Sequence, residues 1–568
     1  MKNGRGSPKQ PFRLLALVCA VIIYLGISTR GKQTTDGSHL HKAVVIDAGS
    51  TGTRVHIYKY KIVGNEKGIN IHIPSISYRT TPGLVYLLNN YFSNDEKVPF
   101  YEYFKNIKTF LYEHVKVKER SSTPIMIRAS GGFRLLSITE SDSYINFVKQ
   151  YLLMNFTDFL LIDELLIKVL SGKEEAILSF VSIYALLEKF TPSPVTFTNL
   201  GESHGENTAS AASAEGDAAQ ATFGKAPQAN KLSEGTKGEN DIIGVLELGG
   251  ATAQVVIKFP LSKMDADIKN LFNYKHSEKM KKSVIEENYK NKNVVKIHLF
   301  DDDIYLYCKS YLVLGRQNAM KTYLHYIIHQ HNGEEQVDVK GLSAGEKNSP
   351  IVVDAQKNAS DKTKFIPVAC FPKNFKFYVN NLYETSIEEE LHEYDGKTQM
   401  SEDDYVAVGT GNIDVCRAQI QTILNYAQID DLPFKLKRFI KLYGIENFHH
   451  FAIDILNLPE SFDPIALDSN MYLEKAKEVC PLTIDEIVKV VRPGANIEKA
   501  QTSCFGLIFL YEFMRYILKI DQPITFQSTN YINNISITWT VAVLLMELPP
   551  HLHTIKKQAK EPHHNDEL

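Results

Sequence analysis

The chain has 568 residues, more than one hydrophobic core usually serves, so two domains are expected. Its hydrophobic content of 44% and charged content of 23% are ordinary for a globular protein. A net charge of −3 excludes any bulk electrostatic case for nucleic acid as a partner. The 29 Tyr and 29 Phe beside a single Trp supply large side chains for a core, and by themselves identify no stacking site.

In chain order, Lys2, Arg5, Lys9 and Arg13 precede the apolar run LLALVCAVIIYLGIS, which is short for a membrane span. Gly26 and Ser28 have the spacing of a signal-peptidase site, so residues 1–28 read as a cleaved signal peptide, with an uncleaved type II anchor as the alternative. KAVVIDAG, RVHIYKY, PIMIRAS and IIGVLELGG read as strands; YINFVKQYLLMNF and EEAILSFVSIYALLEKF read as helices. Strands alternating with helices predict an α/β fold. SGKE at 171–174 is a capping box, with Ser171 as N-cap and Glu174 at N3. Residues 201–240 are polar, rich in Ala, Gly and Ser and without apolar period, and are expected to form a disordered insertion. Residues 331–364 read as a second polar insertion, and 275–292 as a solvated helix face. The late apolar run ISITWTVAVLLMEL is too short for a span and is expected to pack as a helix. The tail 551–568 ends in NDEL, which resembles lumenal retention tetrapeptides.

Outside the leader lie Cys308, Cys370, Cys416, Cys480 and Cys504, with no CxxC and no zinc spacing. Disulfides in an oxidising lumen fit better than a metal, and the odd number leaves one thiol free. Sequons at Asn155, Asn358 and Asn534 permit glycosylation there.

The most informative stretch is VVIDAGSTGTRVHIYKY, residues 44–60. A plain hairpin needs only two turn residues. Here an acid, two glycines and three hydroxyls stand between the strands. Successive backbone N–H groups in such a turn form an anion-binding nest. Glycine allows close approach of the backbone to an oxyanion. Ser50, Thr51 and Thr53 add hydroxyl donors, and Asp47 at a strand end can hold a divalent cation directly or through water. This is equipment for a metal-complexed phosphate, and it is not a Walker loop, since GxxxxGK[ST] is absent. A structural hairpin closed by an Asx-type turn is the other reading. GVLELGGATAQ (244–254) repeats the scheme of strand, acid, glycine and hydroxyls. Either two unrelated turns match loosely, or two similar lobes each offer a phosphate loop to one cleft.

Taken together, VVIDAGSTGTRVHIYKY, PIMIRASGGFRLL (124–136), VLSGKEEAILSFVSIYALL (169–187) and GVLELGGATAQ resemble the four conserved regions of the apyrase family, the nucleoside triphosphate/diphosphate diphosphohydrolases. TTPGLVYL, YLYCKSYLVLGRQNA, VACFPKNFK and VAVGTGNIDVC extend the match in family order, from about residue 42 to 550. The resemblance implies two ribonuclease-H-like lobes of the actin-like ATPase fold with the active site in the cleft. Lobe I would take 42–170 with about 515–550, and lobe II 171–514. It implies direct attack of water on the terminal phosphate with Mg²⁺ or Ca²⁺. By the same resemblance Asp47 and Glu247 would hold the hydrated metal. Ser50, Thr51, Gly52, Thr53, Ser130, Gly249, Gly250 and Ala251 would bind phosphate. Glu175 would be the general base, with Thr252 and Gln254 orienting the water. On its bare sequence Glu175 suits the first turn of a helix equally well through the helix dipole. Arg134 reads as an ion-pairing scaffold residue, and His56 as a packed strand residue.

The chain departs from the family pattern in places. Glu247 stands where Asp is usual, and Thr252 where Ser is usual. In the third region Ala176, Leu178, Ser179 and Phe180 replace Gly, Tyr, Gly and Trp, and Tyr184 replaces Asn. Gly52, in place of a His, resembles the intracellular nucleoside diphosphatases more than the cell-surface enzymes. That branch implies UDP or GDP as substrate in the endoplasmic reticulum lumen, a Golgi type II membrane protein being the alternative. A membrane is a partner only if the leader stays uncleaved, and nothing bears on oligomeric state. The runner-up function is a broad apyrase acting on ADP and ATP; outside enzymes, it is a nucleotide-binding protein that has lost hydrolysis. The resemblance also implies the pairs Cys370–Cys416 and Cys480–Cys504, with Cys308 free, and base stacking by second-lobe aromatics, for which Tyr511 and Phe513 are candidates.

Overall fold

In the computed structural model the described residues are 40–64, 68–94, 96–190, 192–197, 242–258, 293–299, 302–331, 364–379, 405–427, 429, 432, 440–495 and 497–560. The leader, most of both polar insertions, the charged stretch 275–292 and the last residues of the tail lie outside them.

The first half builds a six-stranded sheet from β1 (His41–Ala48), β2 (Thr53–Val63), β3 (Gly68–Thr80), β4 (Ile125–Ala129), β5 (Ile167–Val169) and β6 (Val195–Phe197). β1, β2 and β3 form an antiparallel meander, while β4 runs parallel to β1, and β5 to β4, giving the order β5-β4-β1-β2-β3-β6. β1 has apolar residues on both faces because helices cover both. Val44, Ile46 and Ala48 pack under α1 (Leu84–Ser93), α2 (Lys97–His114) and α3 (Ile138–Asn155), whereas Ala43 and Val45 face the other way.

A second sheet of seven strands has the order β15-β16-β14-β7-β8-β10-β9. Its strands are β7 (Ile242–Leu248), β8 (Ala253–Lys258), β9 (Val294–Leu299), β10 (Asp302–Tyr311), β14 (Ile440–Glu446), β15 (Ile465–Asp468) and β16 (Thr525–Ser528), while β11 (Lys364–Val368), β12 (Lys376–Tyr378) and β13 (Tyr405–Gly409) form a small separate sheet. Here β7, β8 and β10 are the meander, and β14 and β16 are the added parallel strands. The order β10-β8-β7-β14-β16 thus repeats β3-β2-β1-β4-β5, which is the duplicated lobe expected of the actin-like fold.

Helix α4 (Gly172–Leu186) starts on the predicted capping box, in which Glu174 N donates to Ser171 Oγ at 3.2 Å and Ser171 N to Glu174 Oε2 at 2.9 Å. From Glu175 onward most of the helix is buried, in a core shared by residues of both sheets. The run expected to pack as a helix does so at Thr540–Glu547, against the first sheet and α4. There Arg128 and Glu547 form an ion pair whose guanidinium is fully buried. Among the described residues no helix is long and apolar enough to cross a membrane.

The lobe boundaries differ from the expectation. The first sheet takes an edge strand at Val195–Phe197, well past residue 170, and the second takes Thr525–Ser528, past 514. Strand pairing draws in short segments whose own sequence marks no lobe. The tail also begins as a helix, Leu552–Lys560, with Ile555 buried. A helical core beyond the second sheet carries the disulfides Cys370–Cys416 and Cys480–Cys504, and Cys308 is a buried free thiol.

Candidate active site

The two hairpins that echo each other in sequence are equivalent in structure. Asp47 sits opposite Arg54 at the end of the β1–β2 pair, and Glu247 opposite Gln254 at the end of β7–β8. Both loops line one cavity of about 550 Å³. Ser130 joins them because β4 ends beside β1, where its N–H donates to Ala48 O at 3.2 Å. The packing is too close for larger residues. A Cβ on Gly131 would lie 3.0 Å from Thr252 Cγ2 and one on Gly250 would lie 2.5 Å from Gln317 Oε1, so each loop meets the other lobe's motif or its own support through bare backbone.

Asp47, Ser50, Thr51, Gly52, Ser130, Glu175, Glu247, Gly249, Gly250, Ala251 and Thr252 all line the cavity. Thr53 does not. It is fully buried at the root of β2, paired with Ala48 and Thr80, so it closes the hairpin rather than facing the cleft. Gln254 also lies behind the lining. Its Nε2 donates to Glu175 Oε2 at 2.8 Å and to Thr252 Oγ1 at 2.9 Å, so it acts on both groups from behind and not on a reactant. Tyr511 and Phe513 are not brought to the cleft at all. Both are buried in the helix Ser503–Leu518, within the second lobe's helical core, and Tyr511 lies between the guanidinium groups of Arg417 and Arg515.

The carboxylates share a common electrostatic problem. Burial pushes Asp47 up to about 7; the nearby Glu175 and Glu446 add to this, and Arg54, 3.6 Å away, opposes it. Burial, then repulsion from Glu175, pushes Glu247 up to about 8, although Ser179 Oγ donates to it at 2.5 Å. Glu175 is likewise raised by burial, while Arg134, donating to Oε2 at 2.5 Å, pulls it back. His56 is held neutral by burial and by Arg54, down to about 4, with Nδ1 3.0 Å from Ser75 Oγ, in keeping with a packed strand residue.

Several cleft residues carried no mark in the sequence reading. Glu446, His449 and His450 come from the junction of β14 with the helix Asn447–Asp454; Arg54 and Arg79 come from β2 and β3. Glu446 follows an apolar strand and opens a helix just as Asp47 and Glu247 end strands beside it, and that pattern was available in IKLYGIENFHH. At the rim, Phe462 is 60% exposed and meets the Tyr531 ring edge-on at 5.1 Å, beside Arg492.

Comparison with known proteins identifies the family. The model of the GDA1/CD39 (nucleoside phosphatase) family matches residues 33–558. This chain belongs to that family. It is therefore a nucleoside phosphatase, an enzyme of the nucleoside diphosphatase and apyrase kind. The nucleoside-diphosphatase mig-23 of Caenorhabditis elegans is 20% identical over 559 residues, covering 93% of this nucleoside phosphatase and 81% of the worm protein. The guanosine-diphosphatase of Saccharomyces cerevisiae is 26% identical over 161 residues, 28% of this chain and 29% of the yeast one. Among solved structures, a nucleoside triphosphate hydrolase of Neospora caninum shares the fold with a TM-score of 0.51 at 12% identity, covering 97% of this chain and 98% of its own.

Proposed function

We propose that this nucleoside phosphatase hydrolyses the terminal phosphate of nucleoside diphosphates, UDP and GDP first, with water activated by Glu175. The observation that carries the reading is the convergence of Glu175 with two facing phosphate loops in one cavity. Phosphoryl transfer needs positioning and charge stabilisation more than a nucleophilic side chain, and this cavity is built of such groups. The terminal phosphate lies between the backbone N–H groups of Ser50–Gly52 and those of Gly250–Thr252, with the hydroxyl of Ser130 beside them; the Gly249 N–H instead closes its own loop on Thr252 O at 2.9 Å. Arg134 and Gln254 both bond Glu175 Oε2, leaving Oε1 to accept the water's proton. Burial makes that carboxylate a stronger base, and Arg134 only partly opposes this. Thr252, fixed by Gln254, directs the water.

Among the described residues no three His, Cys, Asp or Glu side chains meet closely enough to hold a metal directly. Two buried carboxylates, pushed up by burial and by repulsion from Glu175 and Glu446, do suit a cation held through its water shell. Asp47 and Glu247 would hold Mg²⁺ or Ca²⁺ in that way, and the cation would neutralise charge on the bridging oxygens. The nucleobase stacks at the rim on Phe462 and Tyr531, which replace Tyr511 and Phe513 as candidates. The disulfides fit an oxidising compartment such as the secretory lumen.

The test is phosphate release from UDP, GDP, ADP and ATP with Mg²⁺ or Ca²⁺. Faster turnover of UDP and GDP supports the reading, and faster turnover of ADP and ATP supports a broad apyrase. No turnover of any nucleotide would favour a nucleotide-binding protein that has lost hydrolysis.

A further inference from the structure

Two energetically unfavourable features meet at one point of the cleft. The first is a like-charged pair. Cross-strand register places Arg54 of β2 directly opposite Arg79 of β3, and both line the cavity. Like charges directly opposite on one face of a sheet repel. Asp47, on the far side of Arg54, sits 3.6 Å from that guanidinium, and no such contact to Asp47 relieves Arg79. The second is a backbone conformation. Glu446, at the turn from β14 into the helix Asn447–Asp454, has φ 57° and ψ −119°, which a residue with a side chain rarely adopts. Such a conformation persists only where the surroundings hold it and is concentrated at functional sites. Here its N–H donates to Asn530 Oδ1 at 2.7 Å, and Asn447 Nδ2 donates to Leu248 O at 2.7 Å.

These two features have a common outcome. The turn sends the Glu446 carboxylate from the second lobe into the cavity, facing Arg54 and Arg79 of the first lobe, with His450 Nε2 3.6 Å from Oε2. Burial pushes this acid up, but His450, Arg54 and Arg79 outweigh it, so it stays ionised. Its charge is the largest influence on Arg54. The Arg54 side chain remains 42% exposed to the cavity, so the carboxylate does not consume its donors. The hydrolase reading gives the terminal phosphate to the two glycine loops. Arg54 directly follows the first of these loops on β2 and Arg79 stands opposite it on β3, and their forked donors match a phosphate.

We infer that Arg54 and Arg79 form the subsite for the phosphate that stays on the departing nucleoside, and that Glu446 is the positioning residue that holds the pair towards it from the other lobe. This rests on the hydrolase reading of the same cleft. Binding there is shared by ground and transition states, so its loss raises KM and spares kcat.

The experiment measures UDP affinity by calorimetry with Mg²⁺, and kcat and KM by phosphate release. It compares wild type, Glu446→Gln, Arg79→Gln, the double variant and Glu446→Asp. Glu446→Gln and Arg79→Gln are each expected to weaken UDP about tenfold with kcat within about twofold, as for loss of one charge-assisted contact. The double variant should be no weaker than Arg79→Gln alone, because the two residues act as one unit. Glu446→Asp, which keeps the charge, should recover most of the affinity. Unchanged or tighter UDP binding by Glu446→Gln overturns the inference, as do additive effects in the double variant. Failure of Glu446→Asp to recover affinity also overturns it, since that would mark Glu446 as scaffold only. A wild type that binds UDP but releases no phosphate would sink the hydrolase reading by itself, and the affinity series would still decide this one.

Discussion

Ser179 Oγ donates a 2.5 Å hydrogen bond to Glu247 Oε2, with both side chains buried. Both positions depart from the family pattern set out above, in which Gly and Asp stand there. The departures compensate each other: the longer acid gains a donor that Gly does not have, and the donor fixes which way the carboxylate turns. Ser179→Gly alone should therefore leave Glu247 without its partner and lower turnover at limiting cation about tenfold, the value of a hydrogen bond to a charged group. Ser179→Gly with Glu247→Asp should recover most of it. Phosphate release across a Mg²⁺ titration checks this, and additive losses in the double variant would contradict it.

Arg134 is the cationic partner of Glu175, and both side chains are mostly buried. Its removal leaves a buried acid unpaired, which typically costs about 3–5 kcal/mol. Arg134 lowers the affinity of Glu175 for its proton, so Arg134→Ala should raise it. The acid limb of kcat/KM then moves to higher pH, and Tm falls. An unmoved limb would mean that Glu175 does not titrate in the reaction.

Asp47 and Glu247 give the protein a pH-dependent stability. In the folded state their carboxyls are pushed from ordinary values near 3.8 and 4.5 up to about 7 and about 8. Between those limits the folded chain holds protons that the unfolded chain has released, so their contribution to stability is full below about pH 4 and is lost as pH rises through about 8. On the assignment proposed above, a divalent cation would bind the ionised pair and offset the loss. Mg²⁺ should raise Tm little near pH 5 and clearly near pH 8 in thermal melts of chelator-treated protein. An equal rise at both would contradict the assignment of these two acids to the cation.

The two disulfides lie in the second lobe's helical core, closing segments with sequence separations of 46 and 24. Loss of each typically costs about 2–4 kcal/mol, so melts in reductant should show a destabilised protein. An unchanged melt in reductant would show that they contribute nothing to stability.

Much of the cleft was legible because its chemistry is local. DAGSTGT and ELGGATAQ each carry an acid at a strand end and a small-residue turn, and β1–β2 and β7–β8 realise both. SGKE fixed the start of α4 and therefore the place of Glu175. What escaped depends on register and long-range pairing. Arg54 is visible in the first motif, but its opposition to Arg79 exists only once β3 pairs with β2. Glu446 looks like an ordinary helix-opening acid until its backbone turns it into the cleft. Tyr511 and Phe513 were chosen for their ring chemistry, and a helix buried on nearly every side took both into the core. The edge strand β6 and the inner strand β16 are four residues or fewer and carry no periodicity with which to place a lobe boundary.

The claim at the centre of this account is that Glu175 activates water in a cation-dependent nucleoside diphosphatase. The most direct test is phosphate release from UDP with Mg²⁺ by wild type and Glu175→Gln, with Tm measured on both. In Glu175→Gln, kcat is expected to fall by about 10²–10⁴ with the fold intact, the usual contribution of a general base. Turnover undiminished in Glu175→Gln would contradict it.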